Sequence, residues 1–504
     1  MHDALRELRE RLAALSDLSA AGSLLGWDQQ TMMPPRAAAL RAEQLGTLGR
    51  IVHDRFCDDA IGRLLRDLEG EEERLRAADP DSGDAALIRV TRRDWEKARR
   101  VPGELAAELA RAGALGHQAW LGARERSDFA AFLPFLERNV ELRLRYVDCF
   151  EGFEDPYDVL LDDYEEGMTS AEVGALFSEL RAELVPLIAD VAARADAVDD
   201  AMLHGCFDAD RQRALVRGVV ERLGWSPDGW RLDEAAHPFA ASLGTTDVRL
   251  TTRYDESYVG TALFGAIHEF GHGLYESQVD PSLDRTPLGD GVSLGVHESQ
   301  SRLWENFVGR GRPFAGWLRG QLADAFPGAF GDVGAEALYR AVNRVRPSLI
   351  RVEADEATYG LHIILRFELE REMIAGTIAL ADLPEVWTAR MREYLGVDVP
   401  DDARGVLQDV HWATGDIGYF STYALGNLIA AQLWQRLRGD LPGLDDALAE
   451  GDAGALRDWL GEHVHRFGRK LPPKQLVARA CGGPIQVAPF VDYLRAKLTP
   501  IYGL

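Results

Sequence analysis

Residues 268–272 read His-Glu-Phe-Gly-His, side chains that at this spacing can hold a metal ion and act on a water beside it. On a helix, positions i and i+4 share one face about a turn apart, so His268 and His272 can close on a single cation. Glu269 lies between them in sequence, where its carboxylate can take a proton from that water. This is the H-E-x-x-H arrangement of zinc peptidases. With 12 His among 504 residues, chance alone would place the pattern in roughly one such chain in fifty. A helical setting and a third ligand separate a site from an accident.

A catalytic zinc site takes three protein ligands and keeps a position for water. Glu298, in His297-Glu298-Ser299-Gln300-Ser301, is the leading third candidate, 26 residues beyond His272. Its rivals are His297, Asp290 and Glu276. A histidine beside a ligand more often orients it through a hydrogen bond, which suits His297 to support rather than ligation. A purely structural metal fits poorly: such sites prefer four closed Cys/His ligands, and Cys57, Cys149, Cys206 and Cys481 lie elsewhere. One divalent ion per chain is expected, Zn2+ first, with Co2+ or Mn2+ suited to the same donors.

These side chains need helices to aim them. Leu263, Phe264, Ile267 and Leu274 form the apolar stripe of a buried helix, beginning near Ser257 or Gly260. Gly271 and Gly273 each cost that helix ~1 kcal/mol, so something else requires them, close backbone packing beneath the metal being one such reason. Residues 301–308 continue the helical pattern, which projects Glu298 from a second helix facing the first. Helical period recurs along the chain, in Leu5, Leu8, Leu12 and Leu15 and in Phe129, Phe132, Leu136, Val140, Leu144 and Val147. Thr169 and Glu172 make a capping box ahead of Val173, Phe177, Leu180 and Leu184. The stretch 237–254 departs from this habit. There Val248, Leu250 and Thr252 alternate as a strand, while 286–296, with Gly289, Gly291 and Gly295, reads as loop or a second strand. The expected fold is mostly α with a small β-sheet beside the metal helix, in one intertwined domain over 1–504.

Composition narrows the partners. Net charge is −26, from 56 basic and 82 acidic residues, so no basic excess offsets nucleic-acid phosphate. No apolar run reaches the roughly 18 residues that span a bilayer. The first residues lack the basic-then-apolar order of a signal peptide, and the spread cysteines suggest no disulfide framework. A cytoplasmic protein without nucleic-acid or membrane partners is expected.

Beyond the pentapeptide, the chain resembles the carboxypeptidase Taq family of metallocarboxypeptidases. The likeness is carried by His237-Pro238-Phe239, Asp247-Val-Arg249-Leu-Thr251, His297-Glu298-Ser299, Ile350-Arg351 through Asp355-Glu356 and Tyr359, and Gly405-Val-Leu-Gln408-Asp409-Val-His411-Trp412. Trp27-Asp28-Gln29 through Met33-Pro34 is similar to the family's opening helices. Glu166 and Ala357 depart from the family's usual proline and larger apolar residue, away from the chemistry. The resemblance implies a helical, saddle-like fold of two intertwined lobes around a deep groove, a homodimer, and removal of single residues from peptide C-termini. It implies His268, His272 and Glu298 as metal ligands and Glu269 as the catalytic glutamate.

Within those motifs, roles follow from chemistry. An exopeptidase must grip a free α-carboxylate, and Arg offers a planar bidentate clamp. Arg351 is the first choice and Arg249 the second, each against an alternative as an ion pair, with Asp355 or Asp247. Asp409 belongs to a motif implied to line the groove. Beyond the last motif, His411 followed by Tyr419 and Tyr423 resembles the arrangement in related helical zinc peptidases, which implies Tyr423, and after it Tyr419, as an O–H donor to the developing oxyanion, against the alternative of plain packing. His411 can hold a substrate carbonyl. His237 can bond substrate backbone or cap the neighbouring strand. The competing readings are a helical zinc endopeptidase sharing the metal site, and a non-catalytic scaffold that kept the fold.

Overall fold

The computed structural model describes residues 2–504, with side chains from Asp3 onward. Helix dominates, and one three-stranded sheet interrupts it. The stripes read from sequence do what their period requires. The helix Phe129–Val147 is capped by the Asp128 carboxylate, which accepts from Ala131 N, and it buries Phe129, Phe132, Leu136 and Val140. Its stripe ends early, because Leu144 is exposed. The helix Ser170–Ala192 opens with the reciprocal Thr169/Glu172 capping box and buries Val173, Phe177, Leu180 and Leu184. Each such Leu or Phe contributes about 1.5–3 kcal/mol of burial.

Two hydrophobic clusters result. The larger collects apolar residues from Trp120 to Tyr502 and encloses both helices of the metal site. The smaller joins Leu8, Leu12 and Leu15 of helix His2–Thr31 to Ile61, Leu64, Leu65 and Leu87. It also takes in Val279, Leu283 and Leu288, from the segment between the two metal-site helices. The four cysteines are free, and no described helix is long and apolar enough to cross a membrane.

The sheet has order β1-β3-β2. β3 (Val248–Thr252) is the expected strand and lies in the centre. It pairs in parallel with β1 (Trp230–Glu234), Trp230 opposite Val248, and antiparallel with β2 (Ala240–Ser242), Ala240 opposite Leu250. The stretch 286–296 adds no strand. Its backbone turns, with Gly289 N donating to Thr286 O, and a helix starts at Leu294 with Ser293 as its cap. The loop alternative therefore holds for this stretch, and the departure from sequence expectation comes after it. Helix Leu294–Arg302 does not run on as α-helix; residues Leu303–Gly309 form a π-helix.

Candidate metal centre and adjoining arginine cluster

Helix Gly260–Ser277 carries His268, Glu269 and His272 and packs against both the sheet and helix Leu294–Arg302. Its two glycines make room for different neighbours. A Cβ on Gly271 would lie 2.6 Å from Gln300 O and 2.7 Å from Ser301 Cα. A Cβ on Gly273 would lie 2.6 Å from the Trp230 ring and 2.8 Å from Leu250. The first glycine admits the ligand helix and the second admits the sheet. On the far side, Gly426 of helix Ser421–Asp440 leaves room for Glu298, whose Cγ would meet a Cβ there at 2.7 Å.

Close packing brings three donors together. Glu298 Oε2 lies 3.5 Å from His272 Nε2 and 3.8 Å from His268 Nε2, and the three ligand atoms fall within 4.8 Å of one another. Tetrahedral zinc, with bonds of about 2.0–2.2 Å, would separate such atoms by roughly 3.3 Å. Two imidazoles and a carboxylate at these separations fit a divalent cation. Glu276 and His297, rivals for the third position, serve as support instead. His297 Nε2 lies 2.6 Å from Glu276 Oε1, and His297 Nδ1 lies 2.6 Å from His272 Nδ1. With the proton of His297 on Nε2, His272 donates through Nδ1 and keeps the lone pair of Nε2 toward the metal position. His268 Nδ1 is held 2.9 Å from Glu305 Oε2. Asp290 is not among the three clustered donors.

Two of the carboxylates here are paired with arginines. Arg302 donates to Glu298 Oε1 at 2.7 Å and to Glu305 Oε2 at 3.3 Å, and Arg310 donates to Glu305 Oε1 at 3.1 Å. Burial opposes ionisation of Glu298, but Arg302 and His268 outweigh it and hold the carboxyl well below its ordinary range. Burial pushes His272 down to about 3, which keeps its imidazole neutral, the form able to offer a lone pair to a metal. It pushes Glu269 up to about 7, with His268 opposing and Glu298 and Glu305 adding to the rise. A carboxyl poised near neutrality can accept and return a proton.

A second cluster adjoins the first. Arg351, only 5 % exposed, donates through Nε and Nη2 to Asp409 Oδ1 at 3.0 and 2.8 Å, and through Nη1 to Tyr359 OH at 2.9 Å. Its ion-pair partner is therefore Asp409. Asp355 instead accepts from Arg346 N, Ala357 N and Thr358 N. The other oxygen of Asp409 accepts from Arg366 Nε at 2.7 Å. The Arg302 guanidinium lies 4.3 Å from the centre of the Tyr359 ring, so one tyrosine connects Glu298's partner to Arg351. His411, Tyr419 and Tyr423 pack as neighbouring rings, 5.3 Å between His411 and Tyr419 and 5.4 Å between the tyrosines. Arg351 faces Tyr423 at 5.1 Å. Burial pushes His411 down to about 4 and Tyr423 well up, leaving both neutral. Beneath this segment the buried Glu370 accepts from Tyr157 OH, Trp412 Nε1 and Gly418 N at 2.7, 2.8 and 3.0 Å.

The other sequence candidates sit apart from this cluster. Arg249 is paired with Asp247 through two hydrogen bonds of 2.9 Å and lies over Trp27 at 4.5 Å. Thr251 of the same motif pins Phe239: its hydroxyl accepts from Phe239 N at 2.8 Å. His237 is exposed in the segment before β2. Sequence reasoning overlooked Arg302, Glu305, Arg366 and Glu370. Arg302 and Glu305 follow Glu298 at i+4 and i+7, a spacing that signals a shared helix face.

The comparisons agree with this geometry. Residues 7–498 match the carboxypeptidase Taq (M32) metallopeptidase family. A thermostable carboxypeptidase 1 from Thermus thermophilus is 41% identical over 495 residues, 96% of each chain. Carboxypeptidase 1 from Bacillus subtilis is 38% identical over the whole of both chains. The crystal structure of an M32 carboxypeptidase from Deinococcus radiodurans superposes with a TM-score of 0.94 at 42% identity, covering 100% of both chains. Similarity running through every element that builds the two clusters leaves one assignment, and the chain is a metallocarboxypeptidase of the carboxypeptidase Taq family.

Proposed function

We propose that the chain hydrolyses the last peptide bond of a peptide with a free C-terminus, using a divalent ion held by His268, His272 and Glu298. Zinc is the metal that this nitrogen and oxygen set favours, with cobalt or manganese as alternatives. The bound ion supplies Lewis acidity for the attacking water and the scissile carbonyl. Glu269 takes the water's proton as general base and returns it to the leaving amine as general acid. Tyr423, kept protonated by burial, donates to the developing oxyanion, with Tyr419 beside it. His411, neutral, donates to a substrate carbonyl. Arg351 binds the α-carboxylate, with Asp409 fixing its plane. Arg249 and His237, on the sheet side, are assigned to substrate backbone rather than to the terminus.

The observation that carries the reading is the state of Arg351. Of its five N–H donors, three are engaged by Asp409 and Tyr359. The remaining two belong to a guanidinium that shares one carboxylate with Arg366. Two buried guanidinium groups against one carboxylate leave an excess positive charge, which a substrate carboxylate would neutralise. Mass spectrometry of a short peptide tests this. A ladder lost from a free C-terminus, absent when that terminus is amidated, is expected; internal cuts or digestion of the amidated peptide would overturn it. We further propose one intertwined domain over 1–504, supported by Val279, Leu283 and Leu288 packing into the smaller cluster, and a cytoplasmic homodimer, which sedimentation of the purified protein would test.

A further inference from the structure

An α-helix assigns every interior carbonyl to the N–H four residues on. The π-helix Leu303–Gly309 breaks that assignment beside the metal centre. Arg310 N donates to Glu305 O at 3.0 Å and Gly311 N to Val308 O at 2.9 Å, so neither takes the Asn306 carbonyl. That carbonyl is instead bound from outside, by helix Ala488–Tyr502. Tyr493 OH donates to it at 3.1 Å and Lys497 Nζ at 3.2 Å. A lysine is a costly donor to bury in this position. Its side chain is 5 % exposed, and its ammonium is paired at 2.7 Å with the similarly buried Glu356. The Tyr493 ring also stacks on Phe307 of the same π turn, at 3.9 Å between centroids. Directly preceding the captured carbonyl is Glu305, whose carboxylate holds His268 Nδ1 and meets Arg302 and Arg310.

We propose that Tyr493 and Lys497 are positioning residues for the metal centre. By taking the carbonyl that the π turn releases, they fix the turn that presents Glu305 to His268, and so set the direction of the His268 Nε2 lone pair. π-Helical turns concentrate at functional sites, and here the partner that stabilises the turn lies nearly 200 residues away in sequence. Removing the clamp lets the segment relax toward α-helix, which rotates Glu305 away while leaving His268, His272 and Glu298 in the chain. The inference rests on the reading of those three residues as metal ligands.

The test uses full-length protein loaded with Zn2+, and with Co2+ for its visible spectrum. Two variants are compared with wild type: Tyr493→Phe, which removes one hydroxyl, and the double change Lys497→Met with Glu356→Gln, which avoids stranding a buried carboxylate. Zinc release to excess chelator is expected to quicken about threefold in the first and about tenfold in the second. The cobalt bands should shift, and the gain in Tm on adding zinc should shrink. Release at the wild-type rate, or an equal loss of Tm with and without zinc, would overturn the inference by reducing both residues to plain packing. If the double variant does not fold, Tyr493→Phe decides alone. Failure of wild type to bind zinc would instead overturn the ligand assignment.

Discussion

The metal centre and the Arg351 cluster adjoin through Tyr359, yet they are built on opposite electrostatic plans. Around the metal position carboxylates prevail: Glu298 and Glu305 meet the guanidinium groups of Arg302 and Arg310, Glu276 meets His297, and Glu269 adds a fourth carboxyl. In the cluster around Arg351 guanidinium prevails, with Arg351 and Arg366 sharing Asp409. The first arrangement suits an incoming cation and the second an incoming anion. A peptide C-terminus carries its carboxylate one residue from the scissile carbonyl, so neighbouring sites of opposite preference can read both groups at once. The two regions also differ in support. Each imidazole of the metal centre is oriented by a residue on the same pair of helices or the π turn that extends them, whereas the Arg351 cluster and the segment beside it are held by Asp409 and Glu370 reaching between distant segments.

This contrast predicts separable losses. The largest is expected from Glu269→Gln, which removes the proposed proton carrier but none of the proposed ligands: kcat on a short peptide should fall about 10²–10⁴-fold with metal content, measured by elemental analysis, unchanged. Activity near wild type would remove Glu269 from the mechanism. Arg351→Met should cost about 10²-fold in kcat/KM on free peptides and little on metal content. An equal loss on amidated peptides would show that the cluster does not read the terminus. Glu305→Gln should behave in the opposite sense, weakening zinc affinity about 10–100-fold while preserving preference for a free terminus. A change in that preference would mean the two regions are not separable.

The smallest effect concerns Glu370, buried beneath the segment that carries His411 and Tyr419. Glu370→Gln can offer one carbonyl oxygen to either Trp412 Nε1 or Gly418 N, which now use different oxygens. KM is expected to rise a few-fold with metal affinity unchanged. The same variant carries a pH signature. Burial raises the Glu370 carboxyl from an ordinary 4.5 to about 7, against the opposing hydrogen bonds of Tyr157 and Trp412. The folded protein therefore holds this proton after the unfolded chain has lost it. Its contribution to stability is complete below pH 4.5 and is lost as pH rises through 7. Melting curves of Glu370→Gln should fall less steeply than wild type between those limits; parallel curves would show that Glu370 ionises as an ordinary carboxyl.

The metal centre was legible because most of it is local. His268, Glu269 and His272 lie within one turn, and Ser293 starts the helix that carries Glu298. The strand at Val248–Thr252 was equally readable from its alternation, while β1 was not singled out, although Trp230, Arg231, Leu232 and Asp233 also alternate apolar and polar; parallel pairing to β3 specifies it. The Arg351 cluster was legible only through motif likeness, and the ion-pair partner that sequence offered Arg351 was the nearby Asp355, whereas the structure supplies Asp409 across 58 residues.

By itself the sequence determined the chemistry: which side chains can bind a divalent ion, which carboxylate can carry a proton, and that helices must hold them, since helical period and i, i+4 spacing are properties of a local segment. Tertiary structure alone decided how those groups are aimed and charged. The π turn at Leu303–Gly309, the capture of the Asn306 carbonyl by Tyr493 and Lys497, and the sharing of Asp409 by two arginines all depend on packing between remote segments. Burial then shifts the carboxyl of Glu269 to about 7, and desolvation of that kind is a property of the assembled fold rather than of any residue's neighbours along the chain.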